Sequence, residues 1–201
     1  MLLCGQWEDA RMDVAAFVIS CLSLVVAGLG TWLANARAKE ALEESRRAAA
    51  DACWSKLQEA VQRLIGFDPA AEPINDRLTN LRIAMMELVE KLGDEWKGLD
   101  LWLDSERTLG ATFGRLVMEQ ARPDDSIDRR LKSLEPLMSW AQVLGQNLRY
   151  LRSKGHDGPA LSELTEHATS MTLSVHEQQG WEPPRTSNPR VRPLDEDLPR
   201  P

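Results

Sequence analysis

The sequence predicts an all-α protein. One N-terminal transmembrane helix continues into a juxtamembrane helix, followed by an antiparallel four- to five-helix bundle and a disordered Pro-rich tail. Three observations predict it. Val14 to Ala36 hold no charged side chain, in a chain that is 27% charged. Beyond that run, large apolar residues recur every three or four positions, the period of a helix face. Ala, Leu, Glu and Arg dominate, while Val, Ile and Thr are sparse outside the run, which disfavours a sheet.

The first element is the uncharged run. Its apolar part, Val14 to Ala34, gives a helix of about 31 Å at ~1.5 Å per residue, close to the ~30 Å hydrocarbon core of a bilayer. Its few hydroxyl residues, Ser20, Ser23 and Thr31, can bond to helix carbonyls. Residues 1–13 then form a short extracytoplasmic tail and 14–34 the span. Lys and Arg set the direction. Only Arg11 precedes the run, whereas Arg37, Lys39, Arg46, Arg47 and Lys56 follow it, so the positive-inside rule places the C-terminal side in the cytoplasm of a single-pass plasma-membrane protein. A start at Met12 instead of Met1 leaves that orientation unchanged. Trp32 sits where an interfacial aromatic anchor belongs. Ser23, Ala27 and Thr31, four residues apart, predict a face for transmembrane self-association, since small residues let helices approach closely.

Two processing alternatives compete. Ala34-Asn35-Ala36 has the small-x-small form of a signal-cleavage site, but the apolar stretch is long for a signal and its n-region carries Glu8, Asp9 and Asp13. Val18-Ile19-Ser20-Cys21 loosely resembles a lipobox, yet apolar and small residues continue beyond Cys21.

Residues 35–66 are expected as a juxtamembrane helix or stalk, free of Pro and Gly as far as Ile65. Glu43 pairs with Arg47 at i, i+4, and Trp54, Leu57, Val61 and Leu64 share one face. The stalk half is solvated, or a weak coiled coil if the chain dimerises. The bundle is expected over 73–179. Its first helix, Ile74 to Leu92, carries the stripe Ile74, Leu78, Leu81, Met85, Leu88, Val89 and Leu92, with Gly93 as its cap. The next, Leu99 to Ala121, carries Leu99, Trp102, Leu103, Leu109, Phe113, Leu116 and Val117, and Gly110 and Gly114 within it suggest close packing. A further helix covers Ile127 to Arg152, with Ile127 and Leu131 opening its stripe. Pro136 either kinks it or starts a new helix there. The last runs from Pro159 to Gln178 on Leu161, Leu164, Ala168, Met171 and Val175. Six of the 22 residues over 180–201 are Pro, which predicts a disordered tail.

Formal net charge is −7, and no Lys/Arg cluster suits phosphate neutralisation, so nucleic acid is not an expected partner. Three cysteines, Cys4, Cys21 and Cys53, make no disulfide framework. No phosphate loop, C-x-x-C, H-E-x-x-H or G-x-S-x-G occurs. Glu163 and His167 at i, i+4 supply two ligands at most, short of a metal site. No catalytic, cofactor-binding or metal-ligating residues are assigned, and no cofactor is expected. The expected function is that of a membrane-anchored helical interaction protein, a scaffold, adaptor or regulatory subunit. Its expected partners are membrane lipid, other proteins and a second copy of itself. The alternatives are an exported helical domain cleaved near Ala36, and a helical enzyme or metal-binding bundle with a site built from dispersed residues. The latter needs buried carboxylates or histidines such as His167 and His176 converging between helices.

Overall fold

The computed structural model describes the backbone of Gly5–Pro184 apart from residues 67–72 and 121–124, and side chains from residue 29 onward. The described residues are helical, with no strand: α1 (Gly5–Ile65), α2 (Ile74–Leu92), α3 (Leu99–Gln120), α4 (Ile127–Lys154) and α5 (Gly158–Gln179). The chain divides into two compact units, residues 1–48 and 49–201.

The first unit is helical from Gly5, so the stretch read as a short tail enters the helix before Val14. Most of the expected span, residues 14–28, lies outside the residues whose side chains are described. Among the described residues, no helix is long and apolar enough to cross a membrane. Leu29, Trp32, Leu33 and Leu42 are exposed. Glu43 and Arg47 form the expected i, i+4 ion pair at 3.8 Å, on fully solvated side chains where such pairs contribute little.

The second unit begins within α1: from Ala49 on, the helix belongs to the compact unit. Trp54, Leu57, Val61 and Leu64 are buried in its core. Polar groups register this stretch against α2 and α4. Lys56 Nζ donates to Glu87 Oε1 of α2 at 2.6 Å. Arg152 of α4 donates to Asp51 Oδ1 at 3.1 Å and Gln58 Oε1 at 3.2 Å.

α3 is the element that α2, α4 and α5 share as a packing partner. Its expected stripe is buried throughout, from Leu99 to Val117. α4 runs unbroken through Pro136, so neither a new helix nor a turn begins there. The proline removes one helical N–H donor. Burial of Leu134, Leu137 and Trp140 around it offsets that loss. The expected α4 stripe is corrected at its start, because Ile127 and Leu131 are exposed and burial begins at Leu134. α5 is also corrected. Its deepest line is Leu161, Ala168, Thr172 and His176, with Met171 exposed at the edge. Thr172 can lie there because its hydroxyl donates to the Ala168 carbonyl at 2.8 Å.

Asp157 starts α5 by accepting from the Ala160 N–H at 3.2 Å. Lys154 Nζ donates to its other oxygen at 2.6 Å. The Lys154 hydrogen bond, then the Ala160 N–H, hold the Asp157 carboxyl below its ordinary range, and the same pairing raises Lys154.

Two glycines on α3 admit their neighbours by lacking a Cβ. A methyl group on Gly110 would stand 2.3 Å from Trp140 Cη2, and one on Gly114 2.5 Å from Leu78 Cδ1. The obstacles differ. Trp140 is a rigid, buried indole, whereas Leu78 is half-buried and meets Gly114 with the end of a flexible side chain. Gly110→Ala is therefore expected to destabilise the chain by about 1–3 kcal/mol through overpacking, despite the ~1 kcal/mol gain in helix propensity. Gly114→Ala is expected to fall within about 1 kcal/mol of the parent, because the propensity gain offsets a small side-chain shift. Urea unfolding of the full chain in detergent micelles, followed by Trp fluorescence, measures both. Equal losses would refute the distinction.

Candidate functional site

The most unusual chemistry in the second unit centres on Glu106. The α3 stripe passes through this position, and its carboxylate is 5% exposed. It is satisfied by two indoles. Trp102 Nε1, one turn earlier, donates to Oε1 at 3.0 Å, and Trp140 Nε1 of α4 donates to Oε2 at 2.7 Å. Gly110, one turn later, gives the Trp140 ring room to lie against α3. Phe113 completes the wall, its ring centroid 6.4 Å from that of Trp140. Burial pushes the Glu106 carboxyl above its ordinary value. The indole N–H donors of Trp140 and Trp102, and then the charge of His167, partly oppose that rise.

A second polar cluster closes α5. Gly180, at φ 66°, is left-handed and bonds back to the Glu177 carbonyl at 3.1 Å, while the Trp181 N–H reaches the His176 carbonyl at 2.8 Å. These are the two bonds of a Schellman cap, which needs glycine at that φ. The turn folds the chain back over buried His176. His176 Nδ1 lies 2.7 Å from the Glu182 carbonyl and Nε2 3.2 Å from Thr112 Oγ1 of α3. A carbonyl only accepts, so Nδ1 carries a hydrogen. Trp181 stands edge-on to the imidazole at 5.4 Å between centroids, and the Arg115 guanidinium lies 4.0 Å over its indole.

The residues singled out from sequence are placed as follows. Ser23 and Ala27 lie outside the residues whose side chains are described, and Thr31 and Trp32 are exposed on α1. His167 and Glu163 are exposed, while His176 is buried. Among the described residues no three His, Cys, Asp or Glu side chains gather as a metal site would require, and no buried side-chain nitrogen or oxygen lacks a hydrogen bond. Glu106 and His176 are thus buried titratable groups with their bonding capacity turned inward. Neither offers a free base or acid to a substrate.

Sequence reading missed Glu106. The available signal was a Glu interrupting the apolar stripe of α3 one turn after a Trp. Its other donor, Trp140, lies 34 residues away and only the fold joins them.

No protein-family model, no curated protein and no solved structure matches the chain.

A carboxyl raised by folding binds its proton more tightly in the folded state than in the unfolded one. The resulting stability is present below the ordinary Glu value of about 4.3 and is lost as pH rises through the folded value. The parent is expected to lose stability over that window, and Glu106→Gln to lack that part of the slope. Gln also sets an amide N–H₂ against one indole donor, at a cost of about 1–3 kcal/mol. Unfolding midpoints of both chains from about pH 4 to about pH 8 measure this. Parallel curves would contradict the assignment.

Proposed function

We propose that the chain is a single-pass, membrane-anchored helical interaction protein, a scaffold, adaptor or regulatory subunit, with a short N-terminal segment outside and the bundle in the cytoplasm. The observation that carries this reading is the uncharged run from Val14 to Ala36, long enough for one bilayer crossing. Its direction rests on one basic residue before the run against five after it. Exposed Leu29, Trp32 and Leu33 supply apolar and aromatic surface at the C-terminal end of the run, which suits contact with lipid. Ser23, Ala27 and Thr31 are the proposed face for pairing with a second copy in the bilayer.

The inward-turned hydrogen bonds of Glu106 and His176 support an interaction role over a catalytic one.

A fluorescent protein fused after Pro201 is expected to glow in membrane fractions, and an alkaline phosphatase fused there to be inactive. An active phosphatase fusion, together with a mature N-terminus near Arg37, would replace this reading with the exported domain.

A further inference from the structure

α2 and α3 leave a groove of about 340 Å³ between them, with Trp140 of α4 in its lining. Its apolar lining comes from Leu78, Leu81, Met85, Ala111, Met118 and Trp140. Met118 is half exposed, at 51%, so apolar surface faces solvent there. Two guanidinium groups, Arg82 and Arg107, line the same groove, and among the described residues no carboxylate lines it. Arg82 is exposed. Arg107 uses Nε and Nη2 on Asp104, at 2.9 and 2.8 Å, out of five N–H donors. The groove therefore fits a short segment carrying both aliphatic side chains and carboxylates.

This chain contains one. Leu194-Asp195-Glu196-Asp197-Leu198 places two leucines around three acids, between Pro193 and Pro199. Residues four apart project to one side of either an extended or a helical segment. We propose that Leu194–Leu198 docks in the groove between α2 and α3, with its leucines over Ala111 and Met118 and its carboxylates on Arg82 and Arg107.

The start of the tail favours this occupant over a foreign one. The Schellman turn and the stacking of Trp181 on Arg115 fix the chain on α3 beside the groove. Arg115 lies four residues after Ala111 and three before Met118, so all three are neighbours on the helix surface. From Pro184 to Leu194 the chain can span about 33 Å, against a helix diameter of about 10–12 Å. Tethering raises the local concentration of the segment to the millimolar range, at which two leucines and a few ion pairs suffice. The inference does not depend on the membrane anchor.

The test is photo-crosslinking within the full chain in detergent micelles, with Leu198 replaced by p-benzoylphenylalanine and adducts mapped by mass spectrometry. The expected adducts fall on Ala111 and Met118 of the same chain. Arg82→Glu with Arg107→Glu should lower their yield about tenfold, since like charges then face each other. Adding Asp195→Lys and Asp197→Lys should restore it, which also shows that the variant is folded. Adducts on other surfaces, on a second copy or on no chain would overturn the proposal. So would a yield insensitive to both charge reversals.

Discussion

The union of α3 and α4 turns on a single carboxylate. Glu106 is enclosed in the core and accepts one indole N–H from its own helix and one from the next. A charge-bearing group in such a place is costly to desolvate, and removing either partner leaves a buried group short of a bond. The three-residue set is therefore all or nothing. It holds only if Trp140 packs closely on α3, and that requires Gly110 one turn beyond Glu106. Trp140 also forms part of the lining of the α2/α3 groove, so the shape of that groove rests on the same contact.

This arrangement shapes the functional reading. A buried carboxylate and a buried histidine in one small domain invite a catalytic interpretation. Their bonding partners argue against it. Glu106 gives both oxygens to indoles, and His176 gives both nitrogens to Thr112 and the Glu182 carbonyl. The polar interior thus specifies how the helices and the tail are placed. Outside the core lie exposed apolar residues on α1 and, between α2 and α3, a groove lined by Arg82 and Arg107.

Helical periodicity made most of the fold legible. The stripes of α2 and α3 and the face Trp54, Leu57, Val61 and Leu64 were readable because those positions meet a core on one side. Legibility failed where a neighbour decides. Ile127 and Leu131 continue the α4 spacing, but the core begins only at Leu134. Pro136 left two readings open because its lost hydrogen bond is weighed against tertiary burial that the local sequence does not contain. Thr172 and His176 reached the core because each found an acceptor or donor, His176 from a turn that Gly180 makes. The Glu106 site needed a partner 34 residues away, beyond any local pattern.

The central claim is that Glu106 and Trp140 act as one unit. A double-mutant cycle with Glu106→Leu and Trp140→Phe measures it most directly, by urea unfolding of the full chain. Each single change strands a buried polar partner, whereas the double change removes the pair together. The double variant is expected to be more stable than the sum of the single losses implies, by about 1–3 kcal/mol. Losses that add to within about 0.3 kcal/mol would contradict it.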